Sequence, residues 1–102
     1  MEDVSAPSCF KIETDLRVLL QKAVFHDDQH GTAIIILAGL MNATQVVKKD
    51  LRKCRIVVNG AGAAGISLVR LLGKYGVEDV IMCDTSGAIF EGRKKGMNPV
   101  KD

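Results

Sequence analysis

"VVNGAGAAGISLV", Val57 to Val69, decides the fold of this chain. Its two valines complete the apolar run of "KCRIVVNG" (Lys53–Gly60), glycines follow at once, and an apolar helical stripe comes after them. A continuous apolar run marks a parallel strand covered on both faces. Gly60, Gly62 and Gly65 stand in the G-x-G-x-x-G arrangement between that strand and the helix. The spacing has a physical meaning. The first glycine permits a tight turn, the second lets the backbone approach a pyrophosphate, and the third lets the helix pack closely on the strand. Phosphate oxygens would meet the N–H groups of the turn from Ala61 through Ala63 to Ala64, at the positive end of the helix dipole.

Downstream, Leu68, Leu71, Leu72 and Tyr75 form the helical stripe, Gly76 is the expected C-cap, and "DVIMCD" (Asp79–Asp84) is a further buried strand. Asp84 ends that strand 19 residues after Gly65, where an acid receives the adenine-ribose hydroxyls in a dinucleotide-binding unit. An acid there favours NAD, because the 2′-phosphate of NADP would sit beside a carboxylate. Arg93, Lys94 and Lys95 follow closely enough to offset it, although the expectation for such a basic run is a solvated face. The competing explanation of the glycines and the acid is structural: close helix packing and a strand-end aspartate, with no ligand.

Upstream, Ser5 is the expected N-cap, with Pro7 in the first turn, of an amphipathic helix reaching Lys22. Ile12, Leu16, Leu19 and Leu20 make its apolar face, and Glu13 with Arg17 a solvated i,i+4 pair. "AVFHD" (Ala23–Asp27) is a short β-type run, and "GTAIIILAGLMNATQVV" (Gly31–Val47) predicts a helix apolar almost all round, hence buried. Alternating helices and strands predict an α/β fold: a partial Rossmann-like, doubly wound parallel sheet with helices on its faces, residues 1–102 forming one unit. Each predicted strand ends in a residue with chemistry: Asp27 and Asp28 after the first, Gly60 after the second, Asp84 after the third. Ligands bind at the carboxyl edge of such sheets, so these residues should line one rim.

The adjacent acids of "HDDQH" (His26–His30) admit three readings. Two histidines four apart on a helix can share a zinc ion, with Asp27 where a glutamate base would stand, but the β-type run before them and Gly31 after them speak against a helix there. The acids could simply cap the following helix at Thr32. The third reading is a hard-cation site, since oxygen ligands suit Mg²⁺ or Mn²⁺. It needs further acids; Glu2 and Asp3 are the candidates, although a terminal acidic pair is ordinarily solvated charge.

The net charge of +2 is too small to predict nucleic acid or a membrane surface as partner, and 47% apolar with 25% charged residues is the composition of a globular protein. The longest apolar run, Ala33 to Met41, is nine residues, about half of a bilayer span, and "MEDVSAP" has no secretion-signal pattern. A cytoplasmic location follows as the expectation. Cys9, Cys54 and Cys83 match no paired zinc-ligand spacing and are expected to be reduced thiols.

"EDVSAPSCFKIE", "VFHDDQHGTA", "LAGLMNA", "VVNGAGAAG" and "GAIFEGRKKGMNP", in that order, resemble the bacterial type of malic enzyme over essentially the whole chain. The resemblance implies oxidation of L-malate with NAD or NADP, decarboxylation to pyruvate, a Mg²⁺ or Mn²⁺ ion, and homo-oligomers of the full-length enzyme. It implies Glu2, Asp3 and Asp28 as metal ligands, Asp27 as an acid supporting the catalytic lysine, and Ala61 to Ala64 as the pyrophosphate turn. The family's general-base lysine and general-acid tyrosine lie upstream of the Glu-Asp pair, and a substrate asparagine lies beyond "MNP". The chain is therefore expected to be an internal slice carrying one helix and the first part of the NAD(P)-binding domain, weakly folded and inactive alone. A stand-alone, non-catalytic NAD(H)-binding module is the alternative. Another Rossmann dehydrogenase, acting on amino acids, is a third, against which "HDDQHGTA" argues.

Overall fold

The computed structural model describes residues 1–95 and Met97; Gly96, Asn98 and Pro99 of the last resembling motif lie outside the described residues. Helices α1 (Ser8–Leu20) and α2 (Asp27–Val46) precede a single 3-10 turn at Leu51–Lys53. Strand β1 (Arg55–Asn59), helix α3 (Ala63–Tyr75), strand β2 (Asp79–Asp84) and a two-residue strand β3 (Gly87–Ala88) follow. β1 and β2 pair in parallel from Arg55 opposite Asp79 to Asn59 opposite Cys83. β3 returns antiparallel along the end of β2, Asp84 facing Gly87. The expected β-α-β unit is thus present, and the short β3, not expected from the sequence, adds an antiparallel edge to a sheet expected to be all parallel.

Leucines on α3 at helical spacing face α2 and the sheet. Ala33, Leu51, Leu68, Leu72 and Val77 form the buried core, with Leu37 and Leu40 of α2, Ile56 and Val58 of β1 and Val80 of β2 packed against it. α3 stops at Gly76, where φ of 105° suits a residue without Cβ, and the N–H groups of Gly76 and Val77 both donate to Leu72 O at 3.1 and 3.0 Å. These bonds satisfy the Leu72 carbonyl, one of those a helix end leaves open. The Arg52 guanidinium lies 5.3 Å from the centre of the Tyr75 ring and closes this end of the core.

Four sequence expectations are corrected. Ala23 to His26 is not a strand. Its backbone is satisfied by other partners: Met1 N donates to Phe25 O at 2.9 Å, Asp27 N to Met1 O at 3.0 Å, and Arg17 Nε to Val24 O at 3.2 Å. α2 starts at Asp27 rather than Thr32, with Asp27 and Asp28 in its first turn, where carboxylates complement the helix dipole. Second, α2 is covered on one side only: Ala33 is buried, whereas Ile35 is 73% exposed. The sheet behaves likewise, with Val57 60% exposed while Ile56 and Val58 pack on the core. An all-round apolar sequence carries no record of which face its neighbours cover.

Third, Ser5 does not cap α1; Pro7 occupies that position without a side-chain cap. Fourth, α1 turns a polar edge inward. Cys9 and Glu13 are its buried residues, while Ile12, Leu19 and Leu20 are exposed. Glu13, expected at the surface, is 4% exposed. Arg17 Nη2 lies 2.7 Å from its carboxylate and His30 Nε2 lies 2.9 Å from each of its oxygens, so α1 is held to α2 by charge and hydrogen bonding.

Among the described residues no helix is long and apolar enough to cross a membrane. The three cysteines are free thiols, as expected. Burial pushes the Cys9 thiol above its ordinary pKa, which lowers the thiolate fraction that reacts. Cys54 and Cys83 should therefore alkylate with iodoacetamide well before Cys9 at neutral pH, checked by mass spectrometry of timed samples. Leu72→Ala empties the centre of the core and should cost about 2–5 kcal/mol in urea unfolding.

Candidate functional site

The turn between β1 and α3 shows three separate uses of glycine. Gly60 has φ of 128°, a conformation L side chains rarely adopt, and its N–H donates to Cys83 O at 2.8 Å, tying the turn to the end of β2. Gly62 is open: an added Cβ would meet nothing within 4 Å. Gly65 has no room, since a Cβ there would lie 1.9 Å from Gly60 O. α3 begins directly after Gly62 without a side-chain cap, its first intrahelical bond running from Ile66 N to Gly62 O at 3.0 Å. The N–H groups of Ala63, Ala64 and Gly65 precede that bond, so the helix leaves them for an outside acceptor.

A cleft of about 660 Å³ opens over this turn, lined by Asn59, Gly60, Gly62, Ala63, Ala64 and Gly65 on one side and by Val4, Ser5, Ala6, Asp28 and Ile36 on the other. Asp28 therefore faces the glycine turn, as expected, but from the first turn of a helix instead of a strand end. Its Oδ2 accepts from Asp3 N–H at 2.7 Å and stands 3.3 Å from Nε2 of the fully buried His26. Asp27 is exposed and leans on Gly31, where an added Cβ would lie 2.1 Å from its Oδ1. Glu2 is exposed.

The oxygen donors implied for a metal are thus only partly gathered. Asp3 touches Asp28 through its amide, not its carboxylate, and among the described residues no three His, Cys, Asp or Glu side chains converge as a metal site requires. As placed, Glu2, Asp3 and Asp28 do not fit a bound divalent ion. The zinc arrangement of His26 and His30 is absent as well, because His30 Nε2 is engaged by Glu13.

Asp84 lies at the end of β2 beside the turn, one residue past Cys83. Its carboxylate is fully engaged. Oδ1 accepts from Ser86 N–H at 2.8 Å and from Arg93 Nη1 at 2.9 Å, and Oδ2 accepts from Arg93 Nη2 at 2.5 Å. The Arg93 side chain is 7% exposed, which overturns the expectation of a solvated face; its pairing with Asp84 raises its pKa. Lys94 and Lys95 are exposed, as expected. Sequence reasoning raised Arg93 as a charge that could offset Asp84 but favoured a solvated face, and it missed the Glu13–His30 contact. Periodicity gave no hint of the Glu13–His30 contact.

A protein-family model described as "Malic enzyme, NAD binding domain" matches residues 29–101. The chain belongs to the malic enzyme family. It is 54% identical over 102 residues to a bifunctional malic/malolactic enzyme of Bacillus subtilis, covering all of this chain and 25% of that protein. It is 51% identical to a probable NADP-dependent malic enzyme of Rickettsia prowazekii, again over all of this chain and 14% of the other. The crystal structure of an NAD-dependent malic enzyme from Thermotoga maritima superposes with a TM-score of 0.84 at 41% identity, over 89% of this chain and 24% of that one. The chain thus spans about a quarter or less of the relatives it matches.

The two inner glycines of this malic enzyme segment should respond differently to the same small change. Gly65→Ala forces a methyl group into Gly60 O and should destabilise the turn, lowering the urea midpoint. Gly62→Ala has space in the protein, so it should leave that midpoint nearly unchanged while weakening NADH binding roughly tenfold or more, read by fluorescence titration.

Proposed function

We propose that this chain is the nucleotide-receiving segment of an enzyme that oxidises L-malate with NAD or NADP and decarboxylates the product to pyruvate and CO₂. The observation that carries the reading is the single cleft in which the glycine turn and Asp28 face each other. Backbone N–H groups at the start of α3 bind the pyrophosphate, and the absence of a side chain at Gly62 lets it come close. Asp84 and Arg93 mark the adenine-ribose end of the site, beyond Gly60. The nicotinamide end then points across the cleft toward Asp28, whose carboxylate orients the polar groups of malate. A bound nicotinamide supplies the hydride acceptor.

The family resemblance assigns Asp27, exposed beside Gly31, the role of an acid supporting a neighbouring base. Tyr75, the only tyrosine in the sequence, packs against the core and cannot reach the cleft as a proton donor. The 102 residues alone are therefore expected to bind nucleotide without turning over malate. A cytoplasmic location and a homo-oligomeric full-length assembly belong to the same proposal and rest on the family resemblance, as does dependence on Mg²⁺ or Mn²⁺, which would require the carboxylates of Glu2, Asp3 and Asp28 to converge more closely than they do here.

The test uses the product of the complete reading frame that contains these residues. Malate-dependent reduction of NAD or NADP, with pyruvate formed in equal amount, is expected. Asp28→Asn should lower kcat/KM for malate on the order of a hundredfold and leave the NADH Kd within a few-fold. NADH binding without any malate turnover by that protein would sink the enzymatic reading and favour a binding module.

A further inference from the structure

A second concavity lies between α2 and α3. It encloses about 280 Å³ and shares no lining residue with the cleft over the glycine turn. Its α3 wall is polar by spacing: Ser67, Arg70 and Lys74 stand at offsets 0, 3 and 7, on one face of the helix. Gln29 and His30, near the start of α2, form the other polar wall. Ala33, Ile34 and Leu71 supply the apolar part of the lining.

The charges in this pocket are unmatched. Elsewhere in the chain Arg17, Arg55 and Arg93 each pair with a carboxylate, and Arg52 lies over the Tyr75 ring and donates to the Tyr75 carbonyl. Among the described residues Arg70 and Lys74 have no ion pair, and neither they nor the Ser67 hydroxyl have a hydrogen-bond partner. Arg70 and Lys74 are like charges four residues apart, an arrangement that costs helix stability and that a shared anion reverses. Glu13 does not serve as that anion, because Arg17 and His30 already engage it. Gln29 adds an independent observation: it is 8% exposed, and its Oε1 has no hydrogen-bond partner among the described residues. A buried acceptor without a donor is costly. A ligand hydroxyl satisfies it, as does the amide turned over to donate to an anionic oxygen.

We infer that the pocket between α2 and α3 is a binding site for a small oxyanion of more than one negative charge, a dicarboxylate or a phosphate-bearing molecule, separate from the cleft over the glycine turn. The planar Arg70 fork takes two oxygens of one anionic group, and Lys74 adds a point charge one turn further along. Ser67 offers a hydroxyl donor, and the apolar lining receives a short carbon skeleton. The site stands on its own, whether or not the glycine turn takes a nucleotide.

The experiment is a calorimetric titration of the product of the complete reading frame, at low ionic strength and with NADH in excess so that an anion does not occupy the glycine turn. Succinate and inorganic phosphate are the probes, with sodium chloride at matched ionic strength as the control. At least one probe should bind with a Kd of about 1 mM or tighter, and which one binds better assigns the carboxylate or the phosphate source. Arg70→Gln should weaken that binding about tenfold or more, and Lys74→Gln by a smaller factor. Both side chains are exposed, so neither substitution should move the urea midpoint. The bound probe should also slow acetylation of Lys74, read by mass spectrometry. Binding that persists undiminished in both variants lies elsewhere and overturns the inference; so does heat no greater than that of chloride with either probe. If NADH itself does not bind, the comparison of the parent with Arg70→Gln still decides, because the glycine turn contains neither cation.

Discussion

A helix start pressed against the end of a strand, with no side chain between them, is the constraint on which this structure depends. The 1.9 Å that would separate a Cβ at Gly65 from Gly60 O leaves no room for even a methyl group. Because that position is glycine, α3 can begin immediately at the edge of the sheet, and its unbonded N–H groups point into the cleft. The same close approach brings Leu68 and Leu72 onto the β1–α2 core. Packing and ligand access are two consequences of one missing side chain.

The second organising interaction is polar. α1 would be expected to dock through its leucines, yet it docks through Glu13, which sits between Arg17 and His30. A buried carboxylate is costly unless its charge is met and its lone pairs are filled. Two cationic or hydrogen-bonding partners and strong burial make this contact directional, so it sets the orientation of α1 more sharply than an apolar stripe could. The N-terminal residues follow that orientation: Met1 bonds to Phe25 and Asp27, and Asp3 reaches Asp28. In this way a salt-bridged helix positions the acidic side of the cleft opposite the glycine turn.

The same chemistry recurs at the end of β2, where Asp84 and Arg93 form a bidentate pair. Both pairs join residues from different elements. Each converts a lone carboxylate, costly in a partly dry setting, into a satisfied group with fixed geometry.

The sequence by itself determined the β1–α3–β2 unit, because strand, turn and helix signals lie within 30 consecutive residues and each is local: an apolar run, three glycines with distinct steric duties, a leucine stripe ended by Gly76. It also put Gly60, Gly62, Gly65 and Asp28 at one rim, and all four line one cleft, although it reached Asp28 through a strand that does not exist. Acids at the start of a helix and acids at the end of a strand look alike in one dimension. Tertiary structure alone decided which sides of α1 and α2 are covered, that Glu13 is buried, and that Arg93 meets Asp84. The reason is physical: a side chain's value as an apolar or charged group is local to its residue, but whether that group finds a partner depends on what another part of the chain brings to it.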